Sequence, residues 1–139
     1  MGRRLILDTN VLIAYERGTI DRSSLDDDEL AIASVSVAEY RVGIEADTAS
    51  RAADRARALA AITSAVDVLD YTQVTAAHHG RLLAHVRRSG TSRAAHDLII
   101  AAHAAETGRM ILSRDAKARF GELPGNRFGE LPGISVIDT

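Results

Sequence analysis

Close to the N-terminus runs Leu5-Ile6-Leu7-Asp8-Thr9-Asn10-Val11-Leu12-Ile13. Leu5, Ile6 and Leu7 form a continuous apolar run bounded by Arg4 and Asp8. The run is too short for a helix and reads as a strand buried on both faces. Residues 11–16 then carry helical character, and Gly18 breaks it. A strand ends on an acid, and a helix follows at once.

The same alternation continues outward. Residues 30–33 read as a second strand, and Ser36 starts the next helix with a Ser36-x-x-Glu39 capping box. Gly43 falls inside that helix and weakens it. Between the first two units lies a polar stretch over 21–29, with Asp26-Asp27-Asp28 as a solvated loop. Residues 51–65, rich in alanine and arginine, predict a helix, and 66–69 a third strand. A helix over 72–88 stops at Gly90. Ser92 can cap another that runs to Thr107 and ends at Gly108. Residues 110–112 and 134–137 read as the fourth and fifth strands.

Strands alternating with helices imply a parallel sheet covered by helices on both faces. Ligands of such sheets bind beyond the carboxyl ends of the strands, near a reversal of strand order. Residues that end strands are therefore the ones to read for function.

At 139 residues, one domain over 1–139 is expected, since two cores would each lack apolar surface. Apolar residues make up 46% and charged residues 26%, which excludes wholesale disorder. The absence of cysteine excludes a disulfide scaffold, a thiolate metal site and a cysteine nucleophile. No apolar run is long enough to span a bilayer, and no signal-peptide cleavage pattern follows Arg3-Arg4. A cytoplasmic protein is expected. The net charge of -2 argues against a broad basic surface for nucleic acid, so any such role must rest on a local site.

Four acids stand out. Asp8 ends the first strand and Asp115 follows the fourth, in Leu112-Ser113-Arg114-Asp115. Each reads either as a helix N-cap or as a group on the ligand-binding edge. Glu39 is explained by its capping box, yet its helix starts at that same edge. Asp97 lies in the second turn of its helix, just before the all-round apolar stretch Leu98-Ile99-Ile100-Ala101-Ala102, where an ionised carboxylate is costly unless paired or metal-bound. Pairing with Arg93 four residues back is the alternative. Two unit charges at ~4 Å repel by about 4 kcal/mol at an effective dielectric of 20. Four converging acids would strain a domain stable by about 5–15 kcal/mol, so they would take up protons or cations. Oxygen donors without cysteine suit Mg²⁺ or Mn²⁺, and such ions serve phosphoryl chemistry.

Taken in order, Leu5 to Ile13, Ser36-Val37-Ala38-Glu39, His96-Asp97-Leu98-Ile99-Ile100-Ala101-Ala102 and Leu112-Ser113-Arg114-Asp115 resemble the PIN-domain family. More narrowly, they are similar to the VapC-type toxin ribonucleases of bacterial toxin–antitoxin pairs. Each motif alone is weak; the ordered set is specific and covers nearly the whole chain. The resemblance implies a three-layer α/β/α sandwich with a mostly parallel sheet of about five strands. It implies endonucleolytic cleavage of RNA with Mg²⁺, or Mn²⁺ in its place. Asp8, Glu39, Asp97 and Asp115 match the family's acidic catalytic and metal-binding positions. Thr9, Asn10 and Ser113 match its supporting polar positions. A homodimer and a cognate antitoxin are implied as well. One departure is an eight-residue tandem duplication, Arg119 to Asn126 repeated as Arg127 to Ile134, just past Asp115.

Arg114 and the single lysine, Lys117, flank Asp115 and are placed to guide RNA. Tyr15 and Tyr40 are the aromatic residues expected nearest the edge. His78, His79, His85, His96 and His103 read as surface or interface residues. Rival readings are an aspartyl-phosphate phosphatase, a receiver domain, and a nuclease-like fold kept for binding or dimerisation. The first needs an acid where Asn10 stands, and the second needs paired acids after the first strand. The third is disfavoured by the presence of all four acids.

Overall fold

In a computed structural model of the chain, the described residues are 2–90 and 93–114. The expected fifth strand, the duplication, Ser92, Asp115 and Lys117 lie outside them. Strand β1 (Arg4–Leu7) is the reason the fold closes where it does. Leu5, Ile6 and Leu7 are fully buried, because β1 has strands on both sides and helices over both faces. Its neighbours are β2 (Glu29–Ala33) and β4 (Met110–Leu112), and β3 (Asp67–Leu69) lies beyond β2. All pairings are parallel, in the order β3-β2-β1-β4. The chain steps outward from β1 to β3 and then returns to the other side of β1.

Helix α1 (Thr9–Arg17) joins β1 to β2, and α2 (Ser34–Glu45) and α3 (Ala49–Ala65) join β2 to β3. Helices α4 (Gln73–Ser89) and α5 (Ala95–Thr107) lead back to β4. Right-handed crossovers put α1, α2 and α3 on one face and α4 and α5 on the other. The packing agrees, since α1, α2 and α3 contact one another and α4 packs along α5. This is the expected three-layer α/β/α arrangement, with four parallel strands among the described residues. No helix among the described residues is long and apolar enough to cross a membrane.

The core lies on both sides of the sheet. Val11 and Leu12 of α1, Tyr40 of α2 and Leu59 of α3 pack on one side; Leu82 of α4 and Ile100 of α5 pack on the other. Burying each such side chain stabilises by about 1.5–3 kcal/mol. Gly18 and Gly108 end α1 and α5 in the left-handed region, at φ 70° and 66°, where an L side chain is strained. Helix α2 continues through Gly43 because the Arg55 guanidinium fills the space a side chain would take. That guanidinium stands 4.9 Å over the Tyr40 ring.

Several expectations are corrected. Helix α2 starts at Ser34 with Ala33 at its cap and no side-chain cap hydrogen bond, so Ser36-x-x-Glu39 is not a capping box. The polar stretch holds a short 3-10 helix, Arg22–Leu25. Asp28 is not solvated: Arg3 donates to it from its backbone N at 2.9 Å and from its guanidinium at 3.2 and 2.8 Å. Burial acts to raise the pKa of Asp28, but the hydrogen bonds and charge of Arg3 outweigh it and hold the carboxyl below its usual value. His103 is 1% exposed and is buried within the fold. Tyr40, also 1% exposed, is a core residue and offers no platform for a base.

Candidate active site at the carboxyl edge of the sheet

Register builds the centre of the site. Leu7 lies opposite Ile32 on one side and Leu112 on the other. The next residues, Asp8, Ala33 and Ser113, therefore stand side by side at the carboxyl edge. The Asp8 N–H extends the ladder by donating to the Leu112 carbonyl at 2.9 Å. The two strands diverge in connectivity here, because β1 leads to one side of the sheet and β4 lies on the other. This is the reversal of strand order at which such sheets bind ligands.

Asp8 is both a cap and a site residue. It is the N-cap of α1, and its Oδ1 accepts from the Thr9 N–H at 2.8 Å. Its Oδ2 accepts from the Ser113 hydroxyl at 2.7 Å. The carboxylate is 5% exposed, so these donors replace the water it has lost. The alternatives left open in the sequence are thus compatible: the cap fixes the carboxylate, and the strand end places it.

Thr9 carries the connection onward. Its hydroxyl lies 2.9 Å from Glu39 Oε1 and 3.0 Å from the buried Ser36 hydroxyl. Glu39 and Ser36 share a face of α2, one turn apart, and both turn to Thr9 instead of to their own helix end. Asn10 Oδ1 accepts from the Arg114 backbone N–H at 3.2 Å, tying the residue after Ser113 to the start of α1. Helix α5 supplies the third side. His96 Nδ1 stands 3.1 Å from Glu39 Oε1, and Asp97 is next along the chain. Helix α5 begins at Ala95, so Asp97 is in the first turn rather than the second.

Three helices, α1, α2 and α5, thus begin at this edge. Their N-terminal ends bring positive dipole charge towards the acids. Asp8, Thr9, Asn10, Glu39, Ser113 and the Arg114 backbone are linked by the contacts above. Asp97 sits beside His96 at the same edge, and Asp115 and Lys117 fall outside the described residues. Ser36 and His96 are the members that sequence reasoning did not assign. Ser36 was visible only as the partner of Glu39 at helical spacing, and His96 only as the neighbour of Asp97.

The donor chemistry suits a hard divalent cation: carboxylate and hydroxyl oxygens in a chain without cysteine. Among the described residues, no three His, Asp or Glu side chains stand close enough together to form a complete metal cage. Those residues supply part of a set. Glu39 has one oxygen engaged twice and its Oε2 without a hydrogen bond among the described residues.

Comparison with known proteins bears on the family and the fold. A PIN domain family profile matches residues 5–125. The chain is 30% identical over 131 residues to the tRNA(fMet)-specific endonuclease VapC of Salmonella typhimurium, covering 89% of this chain and 95% of that protein. It is 36% identical over 112 residues to ribonuclease VapC5 of Mycobacterium tuberculosis, covering 79% and 82%. The crystal structure of DNA-bound VapBC from Salmonella typhimurium superposes with a TM-score of 0.77 at 25% identity, over 91% of this chain and 96% of that one. A profile match across most of the chain, together with a relative 30% identical over 89% of it, places this protein in the PIN-domain family.

Proposed function

We propose that this chain is a toxin endoribonuclease of a toxin–antitoxin pair, one nuclease domain that hydrolyses RNA phosphodiester bonds in the cytoplasm. PIN-domain ribonucleases depend in general on a divalent metal. Mg²⁺ is the ion proposed here, with Mn²⁺ able to substitute. Asp8, Glu39, Asp97 and Asp115 would hold it. When bound, the ion supplies Lewis acidity, which makes a water nucleophilic and steadies the charge of the leaving oxygen.

The chain's own residues do the rest. Ser113 and the Thr9 N–H fix the orientation of the buried Asp8 carboxyl group. Thr9 fixes Glu39. The converging helix ends favour the anionic phosphodiester. Arg114, exposed beside Asn10, and Lys117 guide the RNA backbone. The partner proposed is a cognate antitoxin, after the VapBC complexes this chain resembles, and the active form is a homodimer.

The observation that carries the reading is the meeting of Asp8, Thr9, Glu39 and Ser113 at the point where strand order reverses. The test is cleavage of RNA by the purified chain in Mn²⁺, Mg²⁺ or EDTA, with Asp97→Asn alongside. Transfer RNA is the first substrate to try, given the name of the Salmonella relative. Metal-dependent cutting that Asp97→Asn lacks supports the reading. Equal cutting by the variant overturns it.

A further inference from the structure

We infer that His96 is a positioning residue that holds the Glu39 carboxylate in one orientation for metal binding; the inference rests on the nuclease reading above. His96 Nδ1 lies 3.1 Å from Glu39 Oε1, the oxygen that also takes the Thr9 hydroxyl at 2.9 Å. Glu39 is a long side chain, about one-third exposed, in the second turn of α2. Left alone it would sample several rotamers, and ordering it on metal binding would cost side-chain entropy. Two contacts on one oxygen remove most of that freedom in advance. They come from different helices, Thr9 from α1 and His96 from α5, so they constrain the carboxylate from two directions. Oε2 is left without a hydrogen bond among the described residues and can serve as the ligand atom.

His96 also couples two acids. It precedes Asp97 in the first turn of α5, so its contact with Glu39 pins the start of α5 to α2. The side chain is half-exposed, so replacing it leaves no cavity in the core. Partners of this kind, behind a metal ligand, change metal affinity by about 10–100-fold when removed.

The test is Mn²⁺ binding by isothermal calorimetry, without RNA, on the full chain and on Glu39→Gln, His96→Ala, His96→Asn and His96→Gln. Thermal midpoints are measured for each. The amide of Asn can reach the position of Nδ1, whereas that of Gln reaches the position of Nε2. The expected result is a roughly tenfold or greater weakening in His96→Ala, recovery in His96→Asn, and little recovery in His96→Gln. The midpoints should not follow that order. Wild-type affinity in His96→Ala, or recovery by Gln and not Asn, overturns the inference while leaving the nuclease site intact. Mn²⁺ affinity that is absent, or indifferent to Glu39→Gln, removes Glu39 as a ligand and overturns the nuclease reading along with this one.

Discussion

The Ser113 hydroxyl donates to Asp8 Oδ2 at 2.7 Å, joining the ends of β1 and β4 across 105 residues of chain. Both residues are buried, so this bond is shielded from water. A hydrogen bond to a charged group is worth about 1.5–3 kcal/mol, and its loss here takes one donor from a buried carboxylate. Ser113→Ala should therefore lower stability by about that amount and reduce RNA cleavage. Denaturant melts and a cleavage time course check both. An unchanged melt would show that the Ser113 hydroxyl does not hold Asp8 in place.

Thr9 should be more important for activity than for stability. Thr9→Val keeps the shape but removes the hydroxyl that meets Ser36 and Glu39. Cleavage should fall about 10–100-fold, the usual cost of freeing a metal ligand from its outer partner. Thr9→Ser should retain most of the rate. Initial rates in Mn²⁺ distinguish the two.

Arg109 is expected to behave in the opposite way. It lies at the amino edge, away from the site, and is 4% exposed. Its guanidinium donates to the Leu5 carbonyl at 3.3 Å and the Glu29 carbonyl at 3.4 Å. It also lies 3.2 Å from the Glu29 carboxylate and 3.6 Å from Asp67. One side chain thus ties β4 to β1, β2 and β3. Arg109→Met should cost about 1–3 kcal/mol in a urea melt, from lost hydrogen bonds to charged and backbone groups. Cleavage by the fraction that remains folded should be unchanged.

His103 makes stability depend on pH. Burial pushes its pKa below the ordinary value, and the charges of Glu106 and Asp70 act more weakly the other way. The unfolded chain then binds a proton that the folded chain resists. Stability is full above the unfolded value, about 6.5, and is lost as pH falls through it towards the depressed folded value. The thermal midpoint should drop between about pH 7.5 and pH 5.5. His103→Leu should show a smaller drop over the same range, read by differential scanning calorimetry.

The legible parts of this fold were those set by local pattern and burial. Leu5 to Leu7 read as a strand because a strand covered on both faces must be apolar throughout. Gly18, Gly90 and Gly108 read as helix stops because few other residues tolerate the left-handed turn. What was misread depends on distant partners. Ser36 and Glu39 have the spacing of a capping box whether or not they cap, and only the arrival of Thr9 from another helix shows their use. The proximity of His96 to Glu39 spans two elements and leaves no mark in local spacing. Asp28 looked solvated because its partner, Arg3, belongs to a different strand edge. The acids at strand ends were legible as candidates. The link from Asp8 through Thr9 to Glu39 required the strand order, which composition and period do not encode.

The account turns on the carboxylate of Asp8 as a reacting-site group and not only a helix cap. Asp8→Asn separates the two, because the amide oxygen can still accept from the Thr9 N–H while the negative charge is gone. The decisive measurement is RNA cleavage by this variant in Mn²⁺, with its thermal melt recorded beside that of the wild type. The expected result is a folded protein whose cleavage falls by at least about 100-fold, to the level seen in EDTA. Cleavage at the wild-type rate by folded Asp8→Asn would contradict it.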